Sequence, residues 1–230
     1  MKDDAYIPAL RYRWLTRFYD PVVAFTSREK VFKRKLLDRI APANADQVLD
    51  LACGTGTLAR MIKLENPATT VHGLDGDPDI LELARSESRN EGQDIRFDQG
   101  MSFAMPYPDD AFDLVVSSLF FHHLSATNKQ RTLAEIRRVL KTGGKFLVCD
   151  WGKPANPMLR LTFYLVQMLD GFDITRDNVE GRLPEFIATA GFNQVVVADR
   201  ISTMLGTLDL ITASNARADA RANLTSQPGT

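Results

Sequence analysis

Two clusters in this 230-residue chain carry residues whose types and spacing could do chemistry. The first is Asp50-Leu51-Ala52-Cys53-Gly54-Thr55-Gly56-Thr57-Leu58-Ala59, followed downstream by Asp75-Gly76. Glycine adopts backbone conformations closed to other residues and lets the main chain approach a ligand where a Cβ would clash. One glycine would serve a plain turn. Two at a strand-to-helix junction point to a nucleotide-type ligand. The second cluster is Ser117-Ser118-Leu119-Phe120-Phe121-His122-His123, with Asp150 beyond it. Histidine titrates near neutrality, so His122 or His123 could take the proton that a phenol or enol must lose to become a good nucleophile. Asp150 could orient a hydroxyl or serve as the base. The structural alternatives are a packed histidine pair with one backbone bond and an aspartate that caps a turn. No metal is expected: His72 is the only other histidine, and no cysteine or acid cluster has ligand spacing.

Which nucleotide the first cluster holds turns on charge. Gly54-x-Gly56-x-x-Ala59 fits the dinucleotide fingerprint, with Asp75 as its downstream acid, so an NAD-dependent oxidoreductase is one reading. Asp50 weighs against it, because a carboxylate just ahead of the glycines would repel a pyrophosphate. S-adenosylmethionine carries an ammonium and a sulfonium instead, which Asp50 would attract. Asp75 suits hydrogen bonds to ribose hydroxyls under either reading.

The elements that must position these residues follow from periodicity. Val48–Leu51, Thr70–Leu74, Ile95–Phe97, Phe112–Ser117 and Lys145–Asp150 read as short apolar strands. Between them lie helical stretches: one from Leu58 to Leu64, one opened by Asp77-Pro78 as cap and first helical residue, and one over 127–140 stopped by Gly143-Gly144. Alternation at this spacing predicts an α/β fold with a parallel sheet and helices on both faces. Val195–Val197 and Leu208–Thr212, joined by a short link at Gly206, predict a C-terminal antiparallel hairpin. A very apolar helix over 157–169 could cap a pocket. The division expected is an N-terminal helical cap segment (1–45), a ligand-binding domain (46–214) and a disordered tail (215–230).

Composition bounds the rest. Hydrophobic residues make up 44% and charged residues 25%, enough for one sizeable core. A net charge of −1 argues against a nucleic-acid binder. Residues 1–39 hold ten Lys/Arg and five acids, a local +5 that is either a solvated helix face or a patch steering an anionic substrate or touching a membrane surface. Two cysteines and no apolar leader fit a reducing, cytoplasmic compartment.

Across about residues 12–214 the chain resembles the class I S-adenosylmethionine-dependent methyltransferases. Val48 to Ala59 resembles their first motif, with Ala52 where a glycine is usual, and Gly73-Leu74-Asp75 the acidic end of their second strand. Pro106 to Asp113 is similar to "LPFPDxSFD", and Glu135 to Gly144 to "EixRVLKPGG". Phe18-Tyr19-Asp20, Asp150-Trp151-Gly152-Lys153-Pro154 and Ala190-Gly191-Phe192 are similar to segments of the ubiquinone/menaquinone-biosynthesis C-methyltransferases and related phospholipid N-methyltransferases. The resemblance implies a Rossmann-like doubly wound, mostly parallel seven-stranded sheet. It implies S-adenosyl-L-methionine as methyl donor, released as S-adenosyl-L-homocysteine. Cofactor contacts would come from Tyr19, Asp50, Ala52, Gly54 and Gly56 on the first strand side, and from Asp75, Gly76, Met101, Ser102 and Ser118 at the later strand ends. His122, His123 and Asp150 would face the acceptor, a small and apolar or quinol/phenol-like molecule; a phospholipid amine at a membrane surface is the alternative. The family's Gly-Asp-Ala is Gly100-Met101-Ser102 here, which replaces an adenine-bonding carboxylate by a thioether that can pack on the ring, with Asp98 as a substitute. Ser118-Leu119-Phe120 stands where amine methyltransferases of DNA and protein carry "NPPY", which argues against those substrates.

Overall fold

The computed structural model describes residues 28–40 and 45–215. Within them, α1 (Glu29–Ile40) precedes β1 (Gln47–Leu51), α2 (Thr57–Glu65), β2 (Thr70–Asp75), α3 (Pro78–Asn90) and β3 (Ile95–Gln99). Then come β4 (Phe112–Ser118), a 3-10 turn (Phe121–His123), α4 (Ala126–Val139) and β5 (Leu140–Trp151). The chain continues through α5 (Pro157–Asp170), α6 (Phe172–Val179), α7 (Leu183–Thr189), β6 (Asn193–Ser202) and β7 (Thr207–Ser214). One seven-stranded sheet runs in the order β3-β2-β1-β4-β5-β7-β6. β1 to β5 pair in parallel, and β7 inserts antiparallel between β5 and β6.

This topology puts the carboxyl ends of β1, β2, β4 and β5 on one edge, where ligands of open α/β sheets bind. Because β7 runs the other way, its first residues reach the same edge, with Asp209 opposite Asp150. Both sheet faces are covered. Phe32, Leu36, Ile62, Leu81 and Phe163 line one core with Val48 and Val116, while Leu133, Ile136, Phe186 and Ile187 line the other with Leu49 and Val115. Each such side chain contributes about 1.5–3 kcal/mol through burial. That explains why β1 and β4 read as continuous apolar runs rather than as alternating strands.

Several local expectations are met. Asp77 caps α3 by accepting from the Asp79 N–H at 2.9 Å, with Pro78 at the first position. The terminal hairpin is antiparallel and closes over Thr203–Gly206. Others are corrected. α4 ends at Val139, and the chain turns directly into β5, so Gly143-Gly144 lies inside a strand. Asn215, expected to begin a loose tail, is fully buried: its Nδ2 donates to the carbonyls of Arg137, Leu140 and Lys141, tying down the end of α4. The helix expected over 157–169 buries Phe163, Val166 and Gln167 but leaves Met158, Leu161, Leu165 and Met168 exposed. α6 and α7 were not foreseen. Three bases of α1 form ion pairs: Lys33 with Glu29, Arg34 with Asp38 and Glu65, Lys35 with Asp199. Residues 1–27 and 216–230 lie outside the described residues, as does Tyr19. Among the described residues no helix is long and apolar enough to cross a membrane.

Candidate active site

The carboxyl edge of the sheet has two halves. The first is the turn between β1 and α2. Gly54 takes φ +54° with open space where a Cβ would project, so main chain is presented bare to the cleft. Gly56 takes φ +71°, but a Cβ there would meet the Phe97 ring at 2.8 Å. Gly54 thus leaves room for a close approach, whereas Gly56 is required by packing against β3. Ala52 is also left-handed, at φ 56°, an arrangement that costs a non-glycine about 1–2 kcal/mol.

Asp75 closes this half. Its Oδ2 accepts from the Gly54 N–H at 2.9 Å and its Oδ1 from the Asp77 N–H at 3.0 Å, so one half-buried carboxylate locks the glycine turn to β2. Burial raises its pKa, and the Asp77 and Gly54 bonds moderate the rise. The Gly100 N–H donates to the Asp75 carbonyl, which brings Met101 alongside; Gly76 sits beside Asp75 and accepts from Gln99.

Asp50 corrects an expectation. It is buried under the loop, with Oδ2 accepting from the Ala59 N–H in the first turn of α2 at 3.0 Å. Burial raises its pKa to about 7, opposed by Lys33 and the Ala59 bond. A carboxyl so placed holds the first turn of α2, and burial weakens its pull on a sulfonium. The Ser102 hydroxyl is engaged with Thr132 at 2.8 Å inside the protein, so only its main-chain N–H could serve a ligand. One other expectation changes. The Asp98 carboxylate is taken up by Tyr107 and Arg96, so it does not stand in for the missing family acid.

The second half is built on one carboxylate. Asp150 has no exposed surface. Its Oδ2 accepts from the N–H groups of Phe120 at 2.9 Å and Phe121 at 2.6 Å. Its Oδ1 meets His122 Nδ1 and the Trp151 N–H, each at 2.7 Å, and Asn178 Nδ2 at 3.5 Å. Burial alone would raise its pKa; His122 and the Trp151 N–H outweigh burial and hold it below the usual carboxylate range. An ionised carboxylate only accepts, so His122 Nδ1 must carry its hydrogen, and in the neutral ring Nε2 becomes the basic atom. The expectation that Asp150 touches an acceptor or acts as base is corrected: its oxygens are saturated by protein donors.

The two histidines part company. Their rings stack with centroids 3.9 Å apart. Burial, helped by the neighbouring His122, pushes His123 down to about 3. His123 is therefore too weak a base at neutral pH, which corrects its place among the catalytic candidates. Ser118 is half-buried at the last position of β4, next to Leu119, which is left-handed at φ 52°. The buried Ser117 hydroxyl donates to Leu51 O at 3.0 Å and ties β4 to β1. Sequence reasoning missed Asn178, because nothing in an α6 side chain signals contact with a strand end some thirty residues earlier. No group of His, Cys, Asp and Glu among the described residues could hold a metal.

A family profile described as a methyltransferase domain matches residues 48–144, which contain the whole first half and the histidine turn. A demethylmenaquinone methyltransferase of Thermus thermophilus is 33% identical over 57% of this chain and 59% of that protein. YcgJ of Bacillus subtilis, described as an uncharacterized methyltransferase, is 30% identical over 74% of this chain and 67% of its own length. The structure of human N-acetylserotonin methyltransferase in complex with S-adenosylmethionine superposes with a TM-score of 0.61 at 21% identity, covering 80% of this chain and 52% of that one. The chain spans 48–59% of the length of the first three curated relatives it matches.

Proposed function

This chain belongs to the S-adenosylmethionine-dependent methyltransferases, and from that premise we propose that it methylates a small apolar acceptor of quinol or phenol type, with His122 as the base. The curated relatives named for demethylmenaquinone and ubiquinone/menaquinone biosynthesis support the acceptor class. The observation that carries the reading is the 2.7 Å contact between His122 Nδ1 and the ionised Asp150, which makes Nε2 the proton acceptor.

The donor supplies a methyl group already activated by its positive sulfur. In this reading the bare main chain at Gly54 and the Asp75 carboxylate hold the nucleoside, and Met101 packs against the base. His122 Nε2 takes the acceptor's hydroxyl proton. The electron pair released on the acceptor forms the new bond to the methyl carbon as the carbon–sulfur bond breaks, and one proton leaves per methyl gained. In-line alignment and exclusion of water supply the rest of the rate.

The experiment is turnover of S-adenosylmethionine with a reduced, unmethylated naphthoquinol, comparing wild type with His122→Gln. Glutamine keeps a donor toward Asp150 but has no basic nitrogen. Turnover should fall at least 100-fold, within the range general-base catalysis supplies, while cofactor affinity holds. Undiminished turnover by H122Q would leave the base role empty.

A further inference from the structure

Asn178 lies on α6 and is 1% exposed, yet its side chain reaches the end of β5. Its Nδ2 donates to the Trp151 carbonyl at 2.9 Å and reaches Asp150 Oδ1 at 3.5 Å. Its own Oδ1 is buried with no partner. An unpaired buried carbonyl is destabilising, a cost that leucine would avoid in similar volume. What asparagine supplies here, and leucine could not, is a neutral two-hydrogen donor facing the oxygen that holds His122. We propose that Asn178 is a positioning residue for His122: it completes the donor set of Asp150, fixes Oδ1 on Nδ1, and so couples α6 to the proton-accepting atom. This rests on the reading of His122 as the base.

The surroundings make the electrostatics legible. Facing Asp150 are His122 and His123 from the turn, Cys149 along β5, Lys129 from α4, Asp177 from α6 and Asp209 from β7. Asp177 is matched by Lys129 at 3.4 Å and Arg182 at 3.1 Å, and Asp209 by Arg200 at 3.3 Å. Position 178 is neutral, so a charge placed there adds directly to the His122–Asp150 pair.

The chain has three histidines, which makes proton NMR titration of each imidazole practicable in the full-length protein, with His72→Gln and His123→Gln giving the assignments. Asn178→Asp adds a carboxylate beside Asp150 and should raise the His122 midpoint by about one pH unit or more. The acidic limb of kcat/KM should move with it. Asn178→Ser, smaller and too short to bridge, keeps the neutral charge; it should lower kcat about tenfold while KM for S-adenosylmethionine stays put. A packing role alone would lower Tm in both variants and leave the midpoint, the limb and kcat unmoved, and that result overturns the proposal. Should N178D not fold, N178S still decides through kcat against KM. The NMR readout does not need turnover. An active H122Q would sink the base reading while N178D still reports on His122; an inactive H122Q with a static N178D midpoint would sink this inference alone.

Discussion

The two halves of the sheet edge each depend on an aspartate at a strand end, and the two are used in opposite ways. Asp75 is half-buried; its oxygens take the main-chain N–H groups of Gly54 and Asp77 with a weaker bond from Gly76, and it stays at the rim beside open space over Gly54. Asp150 is fully enclosed, accepting from three main-chain N–H groups and His122, with Asn178 beside them. A carboxylate has about four acceptor positions, so Asp75 retains capacity for a ligand's hydroxyls and Asp150 retains none. Position at a strand end does not distinguish a binding carboxylate from a structural one; the count of its protein donors does.

The largest expected effect comes from exchanging the fates of these two residues. Asp150→Ala removes the buried acceptor of the Phe120, Phe121 and Trp151 N–H groups and of His122 Nδ1, and should cost about 4 kcal/mol of stability. In a protein of this size that is a fall in Tm of roughly 10 °C. Asp75→Ala should cost far less stability but weaken S-adenosylmethionine binding at least tenfold, about 1.4 kcal/mol. Thermal unfolding and calorimetric titration on both variants read the cross directly. If D75A loses as much Tm as D150A, or D150A loses affinity instead of stability, the contrast is wrong.

Asp50 sharpens the contrast from a third position, since it is neither at the rim nor saturated. Its folded pKa is raised to about 7 from 3.8. Between those values the folded protein keeps a proton that the unfolded chain has released, so stability falls as pH rises through that window and the loss is complete above it. Asp50→Asn can still accept from Ala59 and removes the titration. The variant should match wild type near pH 4 and gain on it up to pH 7.5, by on the order of 4 kcal/mol at most. The low value of His123 acts on both proteins alike and cancels in the difference. A difference in Tm that stays flat across this range would mean that Asp50 is ionised throughout, and its direct attraction for a sulfonium would return as the better account.

How much of this could be read in advance followed the distance over which each residue is held. The β1 turn, Asp75 and the Asp77-Pro78 cap are local, and their chemistry shows in residue type and spacing. Gly56 was visible as a glycine, but its reason, the Phe97 ring, lies across two strands and is invisible in a linear motif. The pairing of β6 with β7 makes the hairpin expectation correct, but the second pairing of β7, with β5, is what brings Asp209 opposite Asp150, and the hairpin conceals it. His122 and His123 look equivalent side by side; the Asp150 contact of one and the lowered basicity of the other separate them. α6 carries no apolar stripe strong enough to announce itself, so its Asn178 had no signal at all.

The smallest effect tests whether backbone strain follows the same division. Ala52 and Leu119 are both left-handed, at φ 56° and 52°, each one residue beyond neighbouring parallel strands. Glycine at either position relieves about 1–2 kcal/mol of conformational cost and adds back roughly 0.4–1 kcal/mol of unfolded-chain entropy. At Ala52 almost nothing else is lost, so Ala52→Gly should stabilise by about 0.5 kcal/mol, near 1–2 °C in Tm. Leu119 packs against the core cluster that holds Trp151 and Phe163, so Leu119→Gly should destabilise by about 1–3 kcal/mol as that packing goes. Identical backbone geometry would then give opposite signs. Two strained residues that both gain from glycine would show that the acceptor half is no more tightly packed than the nucleotide half, and the difference drawn between Asp75 and Asp150 would shrink to those two side chains alone.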